Sequence, residues 1–214
     1  MSTQSQKRLP SVAAARQRTR FMIQVTMLCA IQFVMQMVPF LGFIPLPTGV
    51  NATTLHLPVI LAGSLLGPKA GAVVGLCFGL ISMTRSTLAP GLTAFWFSPF
   101  APGGNFFSLI IAIVPRVLLG VFAGLIYNAL KGRKMRFAAA GVAGLVATLL
   151  HTFMVLGGIF LFFGDASVMA LNLPALAPFL MGIIASNGIA EAIVAMLVNT
   201  VLVRILEPLV RKGA

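Results

Sequence analysis

FFSLIIAIVPRVLLGVFAGLIYNAL, residues 106–130, decides the architecture. Its only charge is Arg116, and it exceeds the roughly 20 apolar residues that one helical crossing of a bilayer needs. Equally long apolar runs cover about 138–162 and 176–204, and a shorter one covers 21–38. Composition agrees with them. Hydrophobic residues make up 59% of the 214-residue chain and charged residues only 8%. Soluble domains carry roughly 25% charge, so too few polar side chains exist here to cover a water-exposed surface. A soluble enzyme, a disordered chain and a disulfide-stapled secreted domain are excluded.

Between these runs lie two further apolar stretches, Leu55 to Leu66 and Ala70 to about Met83, separated by Gly67-Pro68-Lys69. Each is short for a full crossing of about 20 residues, so two tilted helices and a re-entrant pair are both open. Short segments interrupted by Gly and Pro often lie near the solute site of a transporter. Two Pro/Gly-rich loops flank them: PFLGFIPLPTGVNATT (39–54) and RSTLAPGLTAFWFSPFAPGGN (85–105). The resulting expectation is an all-α integral membrane protein with six transmembrane helices. Its parts are a basic cytoplasmic N-tail over 1–20, a membrane domain over 21–206 and a cytoplasmic C-tail over 207–214. The run opening at Phe21 is too long for a signal peptide, lacks a small-x-small cleavage site, and is expected to end at Pro39.

Charge sets the orientation. The net charge of +12 comes from fifteen Lys+Arg against three acids. With the N-terminus in the cytoplasm, thirteen of the fifteen basic residues fall inside, Arg85 falls outside and Arg116 stays within its helix. This asymmetry predicts both termini inside. The clusters therefore write topology, and nucleic acid is not an expected partner; the lipid bilayer is. Cys29 and Cys77 lie in apolar runs with no CxxC spacing and read as small hydrophobes.

Ionisable groups inside hydrocarbon are costly, and by default they mark function. Arg116 lies about ten residues below the outer end of its helix, roughly 15 Å deep at 1.5 Å per residue. Glu191 lies at similar depth in the sixth run, with Asn187 one turn earlier on the same face, and His151 lies near the middle of the fifth. Two readings stand: an Arg116–Glu191 ion pair joining helices, or a polar pocket reached from outside. Both can hold together. His56 is either a hydrogen-bonded structural group or a ligand contact. Trp96, with Phe95, Phe97 and Phe100, forms either an interfacial aromatic belt or a lid over the pocket. Gly71, Gly75 and Gly79, like Gly120 and Gly124, recur every four residues, the spacing of close helix packing in lipid. Thr26-x-x-x-Ala30 has the same spacing, for packing inside the bundle or for docking a partner helix.

No GxxxxGK[ST], HExxH or GxSxG occurs, and no acidic cluster could hold a metal. No cofactor and no enzymatic activity are expected, and transport energy must come from elsewhere.

PFLGFIPL, HLPVILAGSLLGPKAGAVVGLCFGLIS (56–82), FSPF (97–100), VPRVLLG (114–120) and NGIAEAIV (187–194), in this order, resemble the S-components of energy-coupling-factor vitamin transporters, most closely the pantothenate-type branch. The resemblance covers nearly the whole chain past the N-tail. It implies a six-helix protein of the bacterial cell membrane that captures a vitamin from outside with high affinity. It also implies docking on a transmembrane T-component with two cytoplasmic ATPase subunits. Such proteins contact the T-component through an A-x-x-x-A on the first helix; here Thr26 replaces the first alanine and Ala30 supplies the second. For a pantothenate-like ligand the buried polar residues and the resemblance meet at Arg116, which is expected to hold the carboxylate, with Asn187 and Glu191 taking hydroxyl or amide groups. His151 and Asn105 are further candidates, and His56, Trp96 and Phe97 would shape the lid. The alternatives are another solute, such as folate, riboflavin or a pyrimidine, a small secondary carrier working alone, and an intramembrane enzyme or assembly factor.

Overall fold

The computed structural model describes residues 12–38, 41–45, 51–132 and 135–211. The start of the basic N-tail, Pro39, loop residues Arg133 and Lys134 and the end of the C-tail lie outside the described residues. In chain order the elements are α1 (Val12–Met37), strands β1 (Phe43–Pro45) and β2 (Asn51–Thr53), α2 (Leu57–Leu66), α3 (Pro68–Leu88) and a 3-10 turn at Ala94–Trp96. They continue with α4 (Phe106–Leu130), α5 (Arg136–Leu171), α6 (Leu176–Ile183), a π-helical turn at Ile184–Gly188, and α7 (Ile189–Arg211). The protein is an all-α membrane protein in character: five helical stretches, 14–37, 68–88, 106–130, 136–171 and 176–210, are long and apolar enough to cross a bilayer.

Several elements depart from the sequence expectation. The second apolar stretch forms only the ten-residue α2, about 15 Å long. Pro58 opens this helix and Gly67, at φ +97°, closes it; that conformation is open to glycine and strained for other residues. Pro68 then starts α3 at once, because proline is at home in a first helical turn. The first Pro/Gly-rich loop contains an antiparallel hairpin pairing Phe43 with Thr53 and Pro45 with Asn51. The fifth helix, expected over 138–162, runs on to Leu171 through a break at Phe163 (φ −130°, ψ 18°). Phe163 is buried there against Phe95, with ring centroids 5.7 Å apart.

Glycine governs the centre of the bundle. A Cβ on Gly71 would meet the Gly120 carbonyl, and one on Gly75 the Arg116 carbonyl; one on Gly79 would lie 2.8 Å from the Ala112 carbonyl. Backbone thus lies on backbone along α3 and α4, as the four-residue spacing predicts. At the other end of the bundle, Asn199 Nδ2 on α7 donates to Ser64 Oγ of α2 (3.0 Å) and to the Ala140 carbonyl of α5 (2.8 Å). Arg20 Nη2 reaches the Leu209 carbonyl (3.1 Å), and Arg136 lies 3.9 Å from Glu207. These contacts gather the beginning of α1, the beginning of α5 and the end of α7 at one end of the molecule. The hairpin and the 89–105 connection occupy the opposite end.

Candidate functional site

Proline at position 115 sets up the site. It has no N–H to give to the Ile111 carbonyl, the bond an α-helix would make there. The next residue fills the gap: Arg116 Nη1 donates to that carbonyl. Helical side chains lean toward the N-terminus, so the guanidinium folds back up α4 toward the hairpin end. It lies over the rings of Phe97 (4.8 Å to the centroid) and Phe78 (5.5 Å), a cation–π arrangement that partly replaces lost hydration. Arg116 is only 6% exposed, and its Nε has no hydrogen-bond partner among the described residues.

That guanidinium faces a cavity of about 280 Å³. Arg116, His151, Asn187, Glu191 and Phe97 all line it, so five of the eight ligand candidates named from sequence meet around one space. His151, from the middle of α5, tilts against Phe78 with centroids 6.4 Å apart, and its buried Nε2 has no partner. Asn187 sits on the π-helical turn, where one wide turn rotates the side chains around it; such turns recur at functional sites. Ser186 Oγ donates to Asn187 Oδ1 (3.0 Å).

No ion pair joins Arg116 to Glu191. Glu191 Oε1 instead accepts the backbone N–H of Thr53 at 2.6 Å, tying α7 to strand β2. Of the two readings left open by the sequence, this geometry leaves a guanidinium with hydrogen-bonding capacity turned to a cavity.

The other three candidates do not line the cavity. Asn105 caps α4: its Oδ1 accepts from the Phe107 N–H (2.8 Å), while Ser108 Oγ accepts from the Asn105 N–H (3.0 Å). Trp96 is buried, and its Nε1 donates to Ser167 Oγ (2.8 Å) within the aromatic cluster beside the cavity. His56 is buried, 2% exposed, at the start of α2. Thr26 and Ala30 are both exposed on α1.

The cavity also recruits residues that sequence reasoning missed: Gln36, Thr53, Ser82, Arg85, Ser86, Thr93 and Thr152. Ser82 and Ser86 follow Phe78 at four-residue steps on α3, a stripe that would have revealed them. The third helix was expected to stop near Met83, which hid that stripe; it continues to Leu88.

The family description "ECF transporter, substrate-specific component" matches residues 20–203. The chain is 37% identical over 163 residues to the pantothenic acid transporter PanT of Lactococcus lactis, covering 73% of this chain and 78% of that protein. It is 26% identical over 208 residues to the pantothenate transporter PanT of Leuconostoc mesenteroides, covering 92% and 96%. An extended apolar exterior, a polar cavity in the membrane body and a match from residue 20 to residue 203 converge: the chain belongs to the substrate-specific components of ECF transporters.

Proposed function

We propose that this protein is the substrate-capture subunit of an energy-coupling-factor importer for pantothenate. It works in the cell membrane and draws its energy from a transmembrane T-component and two ATPase subunits. The reading takes its ligand from the names of the two relatives and its chemistry from the cavity. Pantothenate carries one carboxylate, two hydroxyls and one amide. Arg116 holds the carboxylate through charge-assisted hydrogen bonds. Asn187, Glu191 and His151 take the hydroxyl and amide groups, and Phe97 with Phe78 covers the dimethyl portion. His56 and Trp96 shape the walls from behind, and Asn105 caps the helix that carries Arg116.

In this reading the chain crosses the membrane six times, both termini are cytoplasmic, and the cavity opens outward. The second crossing is α2 extended by residues 51–56. Ten helical residues give about 15 Å, the three extended residues of β2 add roughly 10 Å, and a turn at 54–56 joins the two. Non-helical backbone is tolerated at membrane depth where it lines a cavity, and Thr53 and Leu55 do so. The cluster of Arg20, Leu209, Arg136 and Glu207 at one end supports both termini on one side. The exposed Thr26 and Ala30 lie on the face of α1 that meets the T-component.

One observation carries this reading: a buried guanidinium, with no carboxylate paired to it among the described residues, aimed at a cavity lined in part by polar side chains. Binding of labelled pantothenate to the purified protein tests it. Arg116→Ala should lose about 10- to 100-fold in affinity, the worth of a hydrogen bond to a charged group. Unchanged affinity in a folded variant removes Arg116 from the site. A competition panel of folate, riboflavin and pyrimidines decides the ligand.

A further inference from the structure

A second cavity, of about 340 Å³, opens between α1, α2 and α7 at the end where Arg20 meets Leu209. Its walls are hydrocarbon: Met27 and Ile31 from α1, Leu65 from α2 and Leu209 from α7. Arg20 and Gln24 stand at its mouth. On α1 the residues Arg16, Arg20, Gln24, Met27 and Ile31 follow one another at steps of four, four, three and four, which is one helix face. That face turns from basic to polar to apolar on passing from the terminal end into the membrane. Arg20 gives one N–H to the Leu209 carbonyl at 3.1 Å, which holds the guanidinium across the groove. A guanidinium has five N–H donors, so this bond leaves others for a ligand.

Charge selects the ligand. The chain has no acidic residue before Asp165, and Glu207, the acid near this end, lies 3.9 Å from Arg136. We propose that the groove holds an acyl chain of an anionic phospholipid whose phosphate rests against Arg20 and Arg16. Basic pockets between helices on the positive side of a membrane protein recognise such headgroups, and a hydrocarbon-lined slot open to the bilayer takes the tail. The site is separate from the Arg116 cavity and shares no lining residue with it.

The experiment purifies the full chain from vesicles of equal phosphatidylglycerol and phosphatidylcholine and counts retained lipids by native mass spectrometry. Phosphatidylglycerol should be retained about tenfold over phosphatidylcholine, and Arg20→Ala should cut that preference about fivefold, the effect of one basic residue at an anionic surface. Leu65→Trp, which fills the slot and keeps the charge, should lower retention of the bound lipid to the same extent. Should Leu65→Trp fail to fold, Ile31→Trp, on the half-exposed wall, carries the same test. Retention that follows the vesicle composition overturns the proposal. So does a phosphatidylglycerol preference that survives the filled slot, since general surface charge would then explain it. A photoreactive residue at position 31 that crosslinks to a protein helix rather than to lipid in native membranes overturns it as well.

Discussion

The two ends of the bundle put buried polar groups to different uses. At the end where α1 begins and α7 ends, Asn199 spends its amide N–H groups on Ser64 and Ala140 and so ties three helices together, while its buried Oδ1 has no partner among the described residues. At the hairpin end, Arg116 gives one N–H to the carbonyl orphaned by Pro115, and its Nε has no partner among the described residues. A buried hydrogen bond contributes about 1 kcal/mol net, while an unmet buried donor costs about 1–3 kcal/mol. At the first end the amide N–H groups are spent within the bundle itself. The second keeps its capacity for a ligand, and the rest of the fold offsets the cost.

The α3–α4 contact joins these ends, and breaking it should have the largest effect. Gly75 lies against the carbonyl of Arg116 itself, and the obstruction is backbone, which cannot swing aside. Gly75→Val should destabilise the protein by about 3 kcal/mol or more, at the upper end of overpacking costs, and should abolish ligand binding as well. Thermal unfolding in detergent and a binding assay read both effects. A variant that melts at the wild-type temperature would mean that the two helices are not packed on their backbones.

Much of this division was legible in the sequence. The four-residue glycine spacing announced the backbone contact of α3 and α4, and Arg116, His151, Asn187 and Glu191 stood out because charge and polarity are rare within apolar runs. Long-range geometry was not legible. Nothing local says that Glu191 reaches Thr53, 138 positions away in sequence, instead of Arg116. Asn105 has the composition of a ligand residue, yet its partners lie within three positions, in a capping box that the pattern Asn-x-x-Ser could have suggested. Ser82 and Ser86 were hidden because the polar TRST at 84–87 reads as loop, whereas polar residues at a cavity mouth can continue a helix.

Asn199→Ala is the next test of the contrast. It takes the partner from the buried Ser64 hydroxyl, so it should cost about 1–3 kcal/mol of stability and leave ligand affinity within about twofold, since the site lies at the other end. Arg116→Ala should do the reverse, losing affinity with little loss in melting temperature. If both variants lose affinity and stability in the same proportion, the bundle is a single cooperative unit and the division into two ends fails.

Pro115→Ala should have the smallest effect and gives the sharpest test. Alanine restores the N–H that the Ile111 carbonyl lacks, and removing an interior proline relieves a helix by up to about 3 kcal/mol, less whatever the surroundings have already recovered. Here Arg116 has recovered part of it, so a gain of about 1 kcal/mol in stability is expected. The restored bond then competes with Nη1 for the same carbonyl, the guanidinium loses its anchor, and its position over Phe97 and Phe78 loosens. Affinity should fall a few-fold while the melting temperature rises, and the two measured together distinguish this from ordinary damage, which lowers both. A rise in stability with unchanged affinity would show that the two rings alone hold the arginine, and that Pro115 serves the helix but not the site.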